Sequence, residues 1–330
     1  MKILQRLSVP TGDILVVNGE LGKLEMLSIG KYDKHINMKA DFLNLYNKLE
    51  QVRHVPQLPL TERWIVRIST QYGCNMGCKF CDVPSVGRGK NATFNDIVGQ
   101  VTTGLKLHPE IKWSNKFNIH MTRMGEPTWN PNVLEAAKWF KQHIDPEYNA
   151  YPVISTMMPK NNKQLQTFIH TWMHIKNNLY NGKAGLQLSI NSTDESERRH
   201  IFNDNAHSIE EISHIMNGII PKGRKITLNF AVADYTIDPD ILLKYFHPDN
   251  YIVKLTQMHK TAEATKNGIN TFGDYTLYEP YEKYEEKLRN AGYNVIVFVE
   301  SEEEDSGLVT CGNAILSGSL PRTNYKEILN

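Results

Sequence analysis

Three of the four cysteines in this 330-residue chain stand in one short run, Gln71-Tyr-Gly-Cys-Asn-Met-Gly-Cys-Lys-Phe-Cys-Asp82. Cys74, Cys78 and Cys81 have the spacing Cys-x3-Cys-x2-Cys. Three thiolates this close on one loop can bind three corners of a cubane iron–sulfur cluster, whereas an ordinary four-iron cluster takes four cysteines. No fourth cysteine lies nearby in the chain, so one iron keeps an open coordination position. Structural zinc wants four ligands, usually as paired Cys or Cys/His units, and the chain has no second cysteine pair. A disulfide leaves an odd thiol in the loop. The cluster is the reading that uses all three thiols.

The loop resembles that of the radical-SAM enzymes. The resemblance implies a [4Fe-4S] cluster whose open iron chelates the amino and carboxylate groups of S-adenosylmethionine (SAM). One electron, from a flavodoxin- or ferredoxin-type donor, then splits the sulfonium to a 5′-deoxyadenosyl radical. Phe80 stands where that family carries an aromatic that packs near the SAM adenine.

Lys and Arg number 37 against 36 Asp and Glu, a formal net charge of +1. The chain is therefore not a broadly basic nucleic-acid binder, although a local basic patch is enough to bind RNA. The length suits one large domain with small appendages and is sufficient to bury a sizeable core. Few cysteines, mostly clustered, fit a reducing cytoplasm. Met1 to Val17 lacks the apolar core of a signal peptide, and no apolar run approaches membrane-span length, so no membrane association is expected.

Asp13–Val17 and Lys23–Ile29 read as a β-hairpin turned at Asn18–Gly22, with Glu25 on its second strand. Asn37–Val52 has helical spacing. Trp64–Ser69 is the strand that delivers the cysteine loop. Thr93 and Asp96 form a capping-box variant for a helix reaching about Leu107. Strands then alternate with helices: strands at Lys116–Thr122, Tyr151–Thr156, Gly185–Asn191, Ile226–Ala233 and Tyr251–Gln257; helices at Asn130–His143, Lys160–Asn177, Ser208–Gly218, Pro239–Phe246 and Tyr278–Ala291. Such alternation implies parallel strands with crossover helices. It yields an α/β fold, roughly six strand–helix units resembling the partial (β/α)6 barrel of radical-SAM cores. The boundaries are residues 1–60 for a short N-terminal hairpin and helix extension, 61–292 for the barrel, and 293–330 for an extra strand, Tyr293–Val299, and the Cys311 loop. Chemistry is expected at the carboxyl ends of the strands, as in complete barrels.

The remaining motifs fall at those ends. Met124-Gly-Glu-Pro127 follows the second strand. Gly125 permits close backbone approach, and the carboxylate of Glu126 can accept hydrogen bonds from the SAM ammonium; such a Gly-Glu-Pro resembles the radical-SAM amino-group motif, although alone it reads as a turn. Ser155, Ser189 and Asn191, on the third and fourth strands, suit the SAM carboxylate or ribose, and equally suit turns and caps. His259 ends the sixth strand, where a lone His is more often structural. Cys311 in Leu308-Val-Thr-Cys-Gly-Asn313 reads by itself as a small buried hydrophobe. Arg88, Lys90 and Arg123 can attract phosphate, with solvated surface charge as the default.

Among radical-SAM enzymes the chain resembles the RlmN/Cfr family of RNA adenine methyltransferases. The similarity runs, diluted, from the hairpin to Cys311. Ser69-Thr-Gln-Tyr-Gly-Cys74 is similar to the family's Ser-Ser-Gln-x-Gly-Cys, Met124-Gly-Glu-Pro-Thr-Trp-Asn130 to Met-Gly-Glu-Pro-x-x-Asn, Ile154-Ser-Thr156 to Val-Ser-Thr, and Ser189-Ile-Asn191 to Ser-Leu-His. Thr93–Val101 resembles the helix after the cluster loop, and Val253-Lys-Leu255 the last strand. His259 stands at a SAM-contacting Asn, and Asp305 with Cys311-Gly312 resembles the run into Cys-Gly. The resemblance implies that Cys311 receives a methyl group, that the radical activates this thiomethyl for addition to an adenine carbon, and that Glu25 removes the ring proton as general base.

Two departures qualify the substrate, RNA or a nucleotide carrying adenine. The family's second cysteine, which frees the product through a disulfide, is Arg67 here. The helical domain that family members carry before the hairpin is also missing from this sequence, and Asn37–Val52 stands between hairpin and barrel. Besides the methyltransferase, two further readings are open: a radical-SAM enzyme with another substrate or outcome, and a non-catalytic iron–sulfur protein.

Overall fold

A computed structural model describes residues 1–32, 57–271, 279–298, 304, 307–309, 315–319 and 326–328. The expected helix Asn37–Val52 and Cys311 lie outside the described residues.

Three strands open the chain: β1 (Lys2–Val9), β2 (Gly12–Gly19) and β3 (Gly22–Ile29). They form an antiparallel meander in which β2 and β3 pair in register from Gly12↔Ile29 to Gly19↔Gly22, leaving the tight turn that the hairpin reading places there. The meander has one strand more than that reading. β1 hides in the sequence because its Lys2, Gln5, Arg6 and Ser8 interrupt the apolar pattern, and Arg6 is neutralised by Asp13 across the pair at 2.9 Å.

The chain then enters seven strands that neighbour one another in sequence order. These are β4 (Trp64–Arg67), β5 (Phe117–Met121), β6 (Ala150–Thr156), β7 (Gly185–Ser189), β8 (Ile226–Val232), β9 (Tyr251–Gln257) and β10 (Asn294–Phe298). All six pairings among them are parallel. β3 joins this set antiparallel to β4, with Leu27 opposite Arg67. A last strand, β11 (Lys326–Ile328), pairs antiparallel with β1, completing an 11-stranded sheet. The parallel strands read as near-continuous apolar runs because helices cover them. Leu228, Phe230, Val253 and Leu255 are wholly buried.

The crossover helices include α1 (Phe94–Lys106), α2 (Asn132–His143), α3 (Leu165–His174), α4 (Glu195–Ile201), α5 (Ile209–Ile215), α6 (Pro239–Tyr245), α7 (Ala262–Lys266) and α8 (Glu279–Asn290). The Thr93–Asp96 capping box is present, and Asp96 does more than cap. It also accepts from Tyr72 Oη at 2.6 Å and from the Glu20 amide at 2.9 Å, tying the hairpin turn to the approach of the cysteine loop. The helix expected over Lys160–Asn177 starts later, at Leu165, and the Lys160 amide bonds Asn205 O. It ends in one π-helical stretch, Ile175–Leu179. The sequence reading misses α4 and α7. Both are short and carry little apolar periodicity; side-chain caps from Asp194 and Thr261 start them. Among the described residues no helix is long and apolar enough to cross a membrane.

Candidate active site

The carboxyl end of β4 leads directly into the cysteine loop. Gly73 turns it with φ +83°, and a Cβ there would lie 2.0 Å from the Gly87 carbonyl oxygen. The loop is then fixed from outside. The Lys79 amide donates to Ile201 O at 2.8 Å. Asn205 donates to Met76 O at 2.8 Å, Thr261 Oγ1 to Phe80 O at 2.9 Å, and Asn267 to Lys79 O at 3.1 Å. Asp82 accepts from the Glu263 amide at 2.9 Å. The short helices α4 and α7 therefore serve as brackets for the loop, which is why their polar sequences are ordered at all.

None of the three loop cysteines forms a disulfide; Cys78 is buried, and Cys74 and Cys81 are partly so. Burial pushes the Cys74 thiol up to about 11. It pushes Cys78 well above its ordinary value too, helped by Cys81, Cys74 and Glu126. Three sulfurs and a carboxylate thus crowd one another electrostatically, a donor set that asks for a cationic group to hold the thiols as thiolates. Among the described residues no set of three or more His, Cys, Asp or Glu has the geometry of a metal-ion site. Phe80 packs edge-on to Phe202 at 6.1 Å, in an apolar group with Met76, Ile201, Ala233 and Met258.

The Gly-Glu-Pro motif follows β5. Thr70 and Gln71 amides both donate to Met124 O, at 2.8 and 3.2 Å, which clasps the motif to the start of the cysteine loop. Gly125 has φ +93°, and a Cβ on it would stand 2.5 Å from Gln71 Cβ. The Glu126 carboxylate is buried; it accepts from Thr128 N at 3.0 Å, Thr128 Oγ1 at 2.7 Å and the Met157 amide at 2.9 Å. Burial raises its pKa despite these donors. Ser155 and Ser189 Oγ atoms approach to 3.4 Å at the ends of neighbouring strands. Asn191, with φ +60°, accepts from the Ala231 amide at 3.0 Å. His259 is half-buried, two residues before Thr261, which anchors Phe80. The predicted residues of the cysteine loop, the Gly-Glu-Pro motif and the strand ends therefore meet at the carboxyl edge of the parallel sheet.

Glu25 meets the same edge from the hairpin side. Ser69 Oγ donates to its carbonyl at 2.6 Å. Its carboxylate has 0% exposure. Oε1 accepts from Arg123 Nε at 2.9 Å and also from Arg123 Nη2; Oε2 accepts from the amides of Ile315 at 2.8 Å and Leu316 at 3.0 Å. Arg123, expected by default as solvated surface charge, is 5% exposed. Its position immediately before the Gly-Glu-Pro motif is the available signal. Gln100 also escapes the sequence reading. It exchanges two 2.9 Å hydrogen bonds with the backbone of Ser69 and so fixes the start of the loop.

Behind the edge, the strand face carrying Arg67 and His120 has Arg63, Arg224 and Lys254 near it among the described residues. Burial, followed by Arg67, Arg224, Lys254 and Arg63, drives the His120 pKa well below the usual imidazole value. A cavity of about 670 Å³ opens beside the cysteine loop, lined by Gln71, Asn75, Lys90, Asn91, Trp129 and Asn205 among others.

No protein-family model matches the chain. A probable dual-specificity RNA methyltransferase RlmN from Clostridium perfringens is 29% identical over 224 residues, covering 62% of this chain and 58% of the relative. A dual-specificity RNA methyltransferase RlmN from Sorangium cellulosum is 25% identical over 264 residues, covering 77% and 62%. One from Syntrophus aciditrophicus reaches 41% identity over 85 residues, 24% of this chain and 23% of the relative. The chain thus spans less than two thirds of each of these relatives. A radical SAM methyltransferase from Sphaerobacter thermophilus shares the fold, with a TM-score of 0.63 at 17% identity over 92% of this chain and 79% of that one. The chain is thus similar in sequence to RNA methyltransferases named RlmN and in fold to a radical SAM methyltransferase.

Proposed function

We propose that this protein is a radical-SAM methyltransferase that methylates an adenine carbon in RNA or a nucleotide, with Cys311 as the methyl carrier. The observation that carries the reading is the convergence, at one sheet edge, of the three thiols, Glu126, Ser155, Ser189 and Asn191 with the flanks of the Cys311 segment. Cys74, Cys78 and Cys81 hold the cluster. Gly125 and Glu126 receive the SAM amino group, Ser155, Ser189, Asn191 and His259 its carboxylate and ribose, and Phe80 its adenine. When bound, cluster and cofactor supply the methyl group and a 5′-deoxyadenosyl radical, on delivery of an electron from a flavodoxin- or ferredoxin-type partner. The cavity beside the loop has the volume of a ligand pocket, and its amide rim with Trp129 suits a nucleobase. For Glu25 to take the adenine ring proton, one of its oxygens must first be released by Arg123 or by the Ile315 and Leu316 amides.

The test is anaerobic incubation of the reconstituted protein with methyl-labelled SAM and bulk cellular RNA, followed by nucleoside analysis. A labelled methyladenosine absent from the Cys311→Ala reaction is expected. Label confined to protein, or none, overturns the reading. A second reading is favoured by one residue: Arg67 occupies β4 where the related enzymes carry a product-releasing cysteine. On that reading the same radical ends in a different product or a trapped Cys311 adduct, which intact-mass analysis after turnover distinguishes.

A further inference from the structure

We infer that Arg123 is a positioning residue that, through Glu25, fixes both ends of the segment bearing the methyl-carrying cysteine; this rests on the Cys311 reading above. Arg123 donates through all three of its guanidinium nitrogens. Nε and Nη2 hold Glu25 Oε1, and Nη1 donates to Leu308 O at 3.0 Å. Glu25 passes the connection on, because its other oxygen takes the Ile315 and Leu316 amides. One buried ion pair therefore grips the chain at residue 308 and again at 315–316. Cys311 lies between these grips in the sequence, three residues after Leu308 and four before Ile315.

Two further contacts give the grip a direction. Val309 packs with Leu27, Ile29 and Ile65 from β3 and β4, so the entering end sits on the hairpin side. Ser319 Oγ donates to Asp82 at 3.2 Å, so the leaving end reaches the residue just after Cys81. The Arg123 amide itself bonds Ile68 O at 3.0 Å, on the strand that becomes the cysteine loop. Hairpin, Gly-Glu-Pro motif and carrier segment thus all meet at this guanidinium. Its planar fork makes this possible. A lysine, a point charge on a flexible stem, keeps the pairing with Glu25 but does not reproduce the fork that spans Glu25 and Leu308.

Arg123→Met and Arg123→Lys test this in the cluster-loaded protein, where the three ligand thiols are protected. Two readouts are local: hydrogen exchange at the Ile315 and Leu316 amides, and alkylation of Cys311 by iodoacetamide, followed by peptide mass. In Arg123→Met both rates rise about tenfold or more, while cluster content stays within about twofold of wild type. Arg123→Lys falls between, with the amides still protected and alkylation faster. Unchanged exchange and alkylation in both variants overturn the proposal. So does a loss of cluster content in step with them, which marks Arg123 as a general structural residue. Should Arg123→Met not fold, the same two rates in Arg123→Lys decide alone. A wild-type Cys311 that never gains methyl mass sinks the methyltransferase reading but leaves the exchange result to stand or fall by itself.

Discussion

The cysteine loop is held by neutral hydrogen bonds to its backbone carbonyls, from Asn205, Thr261 and Asn267, whereas the junction at Glu25 is held by a buried ion pair. The first design is redundant. Each such bond contributes about 1 kcal/mol net, and several share the task. The second is concentrated, since a buried charge that loses its partner is left without compensation. A cluster whose ligands are covalently part of one short loop tolerates a distributed scaffold. The segment around Leu308 and Ile315 reaches the site from far along the chain, and the Arg123–Glu25 pair is its charged anchor, beside the packing of Val309 and the Ser319–Asp82 bond.

The largest effect expected on the loop side is chemical and not structural. Cys78 is 4% exposed and Cys78→Ala leaves a small cavity in a loop that its brackets still hold. After anaerobic reconstitution, iron and sulfide binding should collapse and 5′-deoxyadenosine formation from SAM should vanish, while far-UV circular dichroism is unchanged. A Cys78→Ala protein that still cleaves SAM breaks the radical-SAM reading itself.

On the junction side the largest effect is energetic. Arg123→Met removes the cation facing the Glu25 carboxylate, which keeps the Ile315 and Leu316 amides, and the unfolding free energy should fall by about 3–5 kcal/mol, the range for breaking a buried pair. Adding Glu25→Gln removes the uncompensated charge, so the double variant should recover part of that loss in denaturant titrations. If the two substitutions add independently, the junction is no more concentrated than the loop, and the contrast fails.

The same difference decides what could be read in advance. Cys74, Cys78 and Cys81, Gly125 with Glu126, and the strands that carry them are near neighbours in sequence, so their spacing and strand-end placement can be read locally. Seven parallel strands in sequence order follow from apolar runs alternating with helices. The junction joins residues 98 apart for Glu25 with Arg123 and 185 apart for Arg123 with Leu308. No local pattern reports such a meeting. Arg123 therefore looks like surface charge until the hairpin, by pairing β3 against β4, brings Glu25 beside it. α4 and α7 escape notice for a related reason: Glu-Ser-Glu-Arg-Arg-His has no apolar stripe, and what orders α4 is its cap at Asp194 and its contact with the cysteine loop.

Gly125→Ala probes how tightly the loop side is keyed to its neighbours. At φ +93°, with Gln71 Cβ 2.5 Å from the added methyl, the substitution forces either backbone strain, about 1–3 kcal/mol, or a shift of Gln71. Gln71 Oε1 receives the Glu126 amide at 2.9 Å, so the shift passes to the carboxylate expected to hold the SAM amino group. Weaker SAM binding in equilibrium dialysis, with cluster content retained, is the expected result. Loss of the cluster instead would show that motif and loop are one rigid unit and that the loop is less redundant than its hydrogen bonds suggest.

The smallest effect concerns His120, on the strand face behind the sheet edge. His120 pairs in register with Arg67 on β4, and burial with the surrounding cations keeps it neutral in the folded protein far below the pH at which it would protonate when unfolded. The unfolded chain therefore binds a proton here that the folded chain refuses. Between the depressed folded pKa and the usual imidazole value near 6.5, stability rises with pH, and it falls as the solution is acidified through that window. Above the window the imidazole is neutral in both states and contributes no slope. His120→Gln removes this proton linkage, so its stability measured by denaturant from neutral to mildly acid pH should fall less steeply than wild type, with the two curves parallel above the window. An unchanged acid slope would place the titrating groups elsewhere. It would also mean that the charge behind the sheet edge is balanced closely enough to let His120 protonate in the folded state.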